Sequence, residues 1–345
     1  MGEGGNGGHR AKGKEEGEEL KTWLVTGATG FVGANLVRVM LGRGDRVKCL
    51  VRKANRCVEG LDVELISTGF EDTAGLTSAA RGTDGVLHVA GTFDPGPKGE
   101  ALMRQIHVDA AASLLSAAQA ADVPFLYCSS SITLGYGPID APGDEDTPLN
   151  PDALYGTRGP LRAYYETKLA GERLTGAGGG VIVNPDFVLG PWDVKPTSGQ
   201  SLLTLAKHPL PFYPRGGKCF IDAEDTAWGH IHAVERGRPG QRYLLGNHNL
   251  SYRDFLHMAA GILGRRPPQL PVPDLAIGAI GRAGTMLQRL DPHRFAGLDP
   301  ALLRAMREGR YRSGAKARAE LQVPVTPMET TIRRTLAWFR GEGYL

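Results

Sequence analysis

Through the first half of the chain the pattern of apolar positions switches between two periods. Short, nearly continuous apolar runs at residues 23–25, 46–51, 62–66, 85–90, 124–128 and 181–183 have the length of strands buried on both faces. Between them apolar residues recur every three or four positions, at 34–40 and over the long stretch 100–121, as on a helix with one buried face. Strands that alternate with helices predict an α/β fold with a doubly wound parallel sheet over residues 21–190. From 191 to 345 the pattern loosens. Proline and glycine clusters at 195–199, 208–217 and 264–273 separate shorter segments, with helices expected at 224–236, 251–263 and 327–340. This half predicts a smaller, irregular α/β lobe that binds substrate, with the chain crossing back to the first domain. Residues 1–20 are glycine-rich, charged and nearly free of apolar side chains, so a disordered tail is expected there.

Composition narrows the function classes. The net charge of +3 over 345 residues leaves no electrostatic footprint for nucleic acid or an anionic membrane. The four cysteines, Cys49, Cys57, Cys128 and Cys219, show neither metal-ligand spacing nor a disulfide framework, which fits a reducing compartment. His230 and His232, two apart on an expected helix, point to different sides, and no metal site is expected. There is no apolar leader segment, and the most apolar late stretch, 275–280, is broken by Gly278 and followed by Arg282. It is too short to span a bilayer, so no transmembrane segment and a cytoplasmic location are expected.

The glycine-rich stretch Thr26-Gly27-Ala28-Thr29-Gly30-Phe31-Val32-Gly33 sits where the first strand run gives way to the first helical run. A nucleotide pyrophosphate can rest there on free backbone N–H groups and the positive end of a helix dipole. Gly27 lets the chain turn, Gly30 lets phosphate approach the backbone, and Gly33 lets the helix pack on the strand. A second pattern lies in the segment from Ala163 to Glu172, where Tyr164 and Lys168 are four residues apart and share a helix face. No other tyrosine in the chain has a lysine four residues on. A nearby ammonium favours a phenolate, and a drop of about three pKa units corresponds to about 4 kcal/mol. A tyrosine so tuned can exchange a proton with a hydroxyl that exchanges hydride with a nicotinamide. The serine cluster Ser129-Ser130-Ser131, at the end of the fifth strand run, offers a hydroxyl to polarise the substrate oxygen.

These motifs, with Asn184-Pro185-Asp186-Phe187-Val188-Leu189-Gly190-Pro191, resemble the extended short-chain dehydrogenase/reductase superfamily. The chain is most similar to its dihydroflavonol-4-reductase-like branch, which includes proteins labelled hopanoid-associated sugar epimerases. The resemblance runs from about Lys21 to the C-terminus and implies a Rossmann-type fold. It implies Tyr164 as general acid/base and Lys168 as the group that lowers its pKa and binds the nicotinamide ribose. It also implies Ser130 as the catalytic hydroxyl, five residues before Gly135, with Ser131 as the alternative register. Cofactor contacts are expected from Thr26, Gly27, Thr29, Gly30, Phe31, Val32 and Gly33. Further contacts are expected from Val89, Ala90 and Gly91 after the fourth strand, and from Tyr164, Lys168, Pro185 and Val188. NAD-preferring members carry an acid at the end of strand two. Here that place reads Leu50-Val51-Arg52-Lys53, and Arg52 and Lys53 suit a 2′-phosphate, so NADP(H) is expected in preference to NAD(H).

Three positions depart from the family pattern. Gly69 stands where an acid often contacts adenine, His107 replaces a common asparagine and is expected to be structural, and Asp222 replaces a histidine before Glu224-Asp225. The function expected is an NADP-dependent oxidoreductase acting on a carbonyl or secondary alcohol of a small molecule. The alternatives are a nucleotide-sugar epimerase, a 3β-hydroxysteroid dehydrogenase/decarboxylase-like enzyme and a non-catalytic NADP-sensing protein. Related enzymes pair through helices of the first domain, so a homodimer is an expectation too.

Overall fold

The computed structural model describes residues 19–288, 290–293, 298 and 300–345. The expected tail lies outside the described residues, apart from Glu19 and Leu20. In chain order, β1 (Thr22–Thr26) leads through the glycine turn into α1 (Phe31–Arg43), then β2 (Arg46–Leu50), β3 (Glu64–Ile66), α2 (Thr73–Ala80) and β4 (Gly85–His88). A helical run extends from α3 (Gly99–Arg104) through a π-helical turn at Gln105–Asp109 into α4 (Ala110–Ala120). β5 (Phe125–Cys128), a 3₁₀ turn at Ser131–Thr133, α5 (Pro151–Tyr155), α6 (Pro160–Ala177), β6 (Val181–Pro185), β7 (Phe187–Leu189) and α7 (Gln200–Lys207) follow. Next come β8 (Phe212–Tyr213), β9 (Gly217–Asp222), α8 (Ala223–Arg236), β10 (Arg242–Leu245), β11 (His248–Ser251) and α9 (Tyr252–Leu263). The last elements are β12 (Leu270–Pro271), α10 (Asp274–Gln288), α11 (Pro300–Ala305), β13 (Gly309–Arg310), α12 (Ala315–Leu321) and α13 (Met328–Gly341).

Seven strands pair in the order β10-β6-β5-β4-β1-β2-β3, with every neighbour parallel. This is a Rossmann-type doubly wound sheet. The period of two along β1 decides which face each side chain fills. Trp23 and Val25 pack with Leu36, Met40, Ile231 and Leu321 on one face, and Leu24 packs with Leu76, Leu114 and Ile182 on the other. Strand order turns back between β1 and β4, which opens a crevice beyond their carboxyl ends.

The helices expected at 224–236, 251–263 and 327–340 are α8, α9 and α13, each within one residue at either end. The expected single helix over 100–121 is interrupted by the π turn. Helix α2 was not anticipated, although Asp72 signals it by accepting a hydrogen bond from Gly75 N at 2.9 Å as its N-cap. The stretch 275–280 lies within α10.

A second sheet is centred on β9. β11 lies antiparallel on one side, and β7 and β13 follow each other in parallel on the other. Its core joins Leu189, Leu202, Phe220, Phe255, Ile332 and Leu336, with Phe220 and Phe255 stacked at 4.6 Å. Asp222, unexpected at its position, is fully buried and caps α8 through Glu224 N at 2.7 Å. The same carboxylate accepts from Thr331 Oγ1 at 2.7 Å and Arg334 Nη2 at 2.6 Å, tying α13 to the start of α8.

Candidate active site

The turn between β1 and α1 requires glycine for two separate reasons. Gly27 has φ +76°, and a Cβ there would stand 2.5 Å from Ala90 N. A Cβ at Gly33 would stand 2.2 Å from Gly27 O, so the helix could not approach the strand. Gly30 is the N-cap of α1 and brings no side-chain cap, and no acid lies in the first turn. An anion at the first N–H groups of α1 would meet neither a competing side-chain cap nor a repelling charge.

Beside this turn lies a cavity of about 340 Å³. Of the sequence-predicted residues, Gly27, Gly30, Phe31, Val32, Gly33, Val89, Gly91, Ser130, Tyr164, Lys168, Pro185 and Val188 line it. Thr26, Thr29, Ala90, Arg52 and Lys53 do not. Thr26 stands behind the wall. Its side chain is fully buried, with Oγ1 2.7 Å from His88 Nδ1 and accepting from Ala90 N at 3.2 Å. It joins the β1 end to the β4 end and has no face toward the cavity. Thr29 O is held by Asn55 Nδ2 at 3.2 Å. Arg52 and Lys53, just past β2, are exposed and make no hydrogen bond or ion pair among the described residues.

The serine cluster divides its work. Ser130 is half-buried on the cavity wall that Tyr164 also lines, and its side chain, which accepts from Ile132 N at 3.3 Å, acts to lower the Tyr164 pKa. Ser129 is buried and donates to Glu172 Oε1 at 2.6 Å, and Ser131, also buried, lies off the wall. Ser130 is thus the serine brought to Tyr164.

Lys168 is buried at 3% exposure and donates from Nζ to Cys128 O at 2.9 Å. A Cβ at Gly91 would stand 3.1 Å from that Nζ, so glycine leaves the ammonium room. Burial pushes the Tyr164 phenol up to about 12, while the Ser130 side chain draws it back. The depression expected from the lysine does not appear: Lys168 is not among the groups acting on the phenol, whose acidity burial sets, and burial lowers the Lys168 pKa as well.

His107 is fully buried in the π turn and packs beside Tyr164. Its ring lies edge-on to Tyr164 at 5.6 Å, and its Nε2 accepts from Thr92 N at 3.1 Å. That fixes Nδ1 as the protonated nitrogen, which donates to Thr167 Oγ1 at 2.9 Å. Burial, with Lys168 adding to it, lowers the His107 pKa to about 2, so the ring is neutral.

Several wall residues carried no sequence signal of their own. Thr92 and Phe93 follow β4 on the wall, and Phe93, 44% exposed, meets Tyr164 edge-on at 5.7 Å. Thr197 and Ser198 reach the wall because Asp193 accepts from Thr197 N at 3.0 Å and Gly199 N at 3.1 Å. Asp186 is also on the wall, and its Oδ2 pairs with Arg312 Nη1 at 2.7 Å, both side chains 1% exposed. Arg312 donates as well to Gly135 O at 2.9 Å and Leu134 O at 3.1 Å. Among the described residues no helix is long and apolar enough to cross a membrane.

With fold and cavity in place, known proteins can be set beside the chain. The family model described as NAD dependent epimerase/dehydratase family matches residues 23–246. A Synechocystis sp. protein named as a dihydroflavonol 4-reductase is 31% identical over 337 residues, covering 94% of this chain and 96% of that protein. Sterol demethylase protein B of Methylococcus capsulatus is 27% identical over 331 residues, covering 94% of this chain and 100% of that protein. Among solved structures, that of gox2253 superposes with a TM-score of 0.78 at 30% identity, covering 94% of this chain and 99% of that one. The chain belongs to the NAD dependent epimerase/dehydratase family of extended short-chain dehydrogenases/reductases.

Proposed function

We propose that this chain is an NADP(H)-dependent oxidoreductase that moves hydride between nicotinamide and a carbonyl or secondary alcohol of a small organic molecule. The observation that carries the reading is that Ser130, Tyr164 and Lys168 stand together on the wall of the cavity that the glycine turn also lines. The residues present fit a dinucleotide. The uncapped first turn of α1 accepts the pyrophosphate, and the close contacts at Gly27 and Gly33 keep that backbone bare. Arg52 and Lys53, free of partners among the described residues, offer two cations to a 2′-phosphate where an NAD enzyme would place an acid. NAD(H) is the alternative cofactor.

Bound nicotinamide supplies or accepts the hydride, and the chain handles the oxygen and its proton. Ser130 donates a hydrogen bond to the carbonyl oxygen. Tyr164, held protonated by burial, gives that oxygen its proton as it becomes a hydroxyl, and takes it back in the oxidation direction. Lys168 spends one hydrogen on Cys128 O and keeps two for a ribose hydroxyl. Phe93 favours a substrate with an apolar or aromatic body, because its exposed ring stands beside Tyr164. That separates this reading from a nucleotide-sugar epimerase, which returns the hydride and shows no net cofactor turnover.

The test is a panel of aryl aldehydes and ketones with NADPH, followed by absorbance, beside UDP-glucose followed for conversion to UDP-galactose. Net NADPH consumption with a carbonyl and no sugar conversion is expected. Sugar conversion without net NADPH loss would replace the reading with the epimerase.

A further inference from the structure

Helix α6 carries Tyr164, Lys168 and Glu172 four residues apart along one face. All three reach the segment that follows β5. Tyr164 shares the cavity wall with Ser130, Lys168 bonds Cys128 O at the end of β5, and Glu172 takes the hydroxyls on either side of Ser130. Ser129 Oγ donates to Glu172 Oε1 at 2.6 Å and Thr133 Oγ1 donates to the same oxygen at 2.5 Å. Asn184, on β6, places Nδ2 2.6 Å from that oxygen and 3.2 Å from Ser130 O. Ser129, Thr133, Glu172 and Asn184 are all buried, at 6% exposure or less.

We propose that Glu172 is a positioning residue for Ser130, and that with Asn184 it clasps the 129–133 turn so that the Ser130 hydroxyl faces Tyr164. The proposal rests on the Ser130–Tyr164 reading above. A serine just past a strand end has backbone and χ1 freedom that a polarising group cannot tolerate, because small misplacements cost large factors in rate. Three donors converging on one carboxylate oxygen remove that freedom on both sides of residue 130. Without the acceptor, the buried Ser129 hydroxyl loses its partner, Thr133 Oγ1 keeps only Ser130 O at 2.9 Å, and the turn between them is released.

Steady-state kinetics with NADPH and the fastest carbonyl of the panel test this on Glu172→Leu, Ser130→Ala and the double variant. Glu172→Leu is expected to lower kcat about tenfold or more, with KM for NADPH within about threefold. In the Ser130→Ala background the same change is expected to cost less than about threefold, because the group it positions is gone. Glu172→Gln keeps the Oε1 acceptor and should retain most of kcat. An equal fold-loss in both backgrounds, or no loss of kcat in Glu172→Leu, would overturn the proposal. Thr133→Val removes one arm of the clasp at nearly constant volume and carries the same cycle should Glu172→Leu not fold. If no carbonyl is reduced, the functional reading has failed independently. Crystal structures of the Glu172→Leu and Thr133→Val proteins then decide the positioning. Ser130 Oγ displaced from Tyr164 relative to the wild-type crystal structure supports it, and an unmoved Ser130 overturns it.

Discussion

Tyr164 on α6 and Ser130 just past β5 share the cavity wall, and the Ser130 side chain opposes burial in setting the phenol's acidity. Lys168, one helical turn further on, is engaged with Cys128 O at 2.9 Å. Burial, which pushes the phenol up to about 12, keeps it protonated at neutral pH.

Direction of reaction should decide the pH dependence. Tyr164 is pushed up to about 12, so reduction, which needs the protonated phenol, should show no loss from Tyr164 across neutral pH. Oxidation of the alcohol needs the phenolate, so its kcat/KM should rise with pH by up to about tenfold per unit. Ser130→Ala removes the hydroxyl that lowers this pKa and should move the alkaline midpoint upward. A pH profile of alcohol oxidation checks both. A midpoint near neutrality would show that burial does not govern this tyrosine in the free enzyme.

Cofactor preference should reside at Arg52. The Arg52→Asp variant should weaken NADPH by about 1–3 kcal/mol, as expected for loss of a charge-assisted contact, and leave NADH nearly unchanged. Fluorescence titration with both nucleotides measures this, and equal losses would remove the basis for NADP preference.

Buried histidines should make the fold acid-sensitive. Burial lowers His88 and His230 to about 4 and His107 to about 2. An unfolded histidine titrates near 6.5, so below that pH the unfolded chain binds more protons than the folded one. Their stabilisation is complete above about 6.5 and is lost as pH falls toward the folded values, by about 1.4 kcal/mol per unit for each ring. Urea unfolding between pH 6.5 and 4.5 should show this slope, and His230→Asn should reduce it by one ring's share. An unchanged slope in that variant would mean His230 is not buried neutral.

Much of the cavity wall was legible because its signals are local. The Gly27, Gly30 and Gly33 spacing and the Tyr164–Lys168 pair each depend on residues within one turn. The Ser130 assignment came from its distance to Gly135, and the structure brings it to Tyr164. What escaped depends on contacts distant in sequence. Asp186 meets Arg312 across 126 residues, and Glu172 gathers Ser129 from 43 residues away. β8, β12 and β13 have two residues each, too few to show a period of two. The motif position of Thr26 could not show that its side chain faces His88 within the sheet.

Tyr164→Phe tests the central claim most directly, because it removes only the phenolic oxygen beside Ser130. With NADPH and the fastest carbonyl of the panel, kcat should fall by about a thousandfold or more while the NADPH Kd stays within a few-fold. A variant that reduces the carbonyl at the wild-type rate would contradict Tyr164 as the proton donor, and with it the reading of this cavity as an active site built on Ser130, Tyr164 and Lys168.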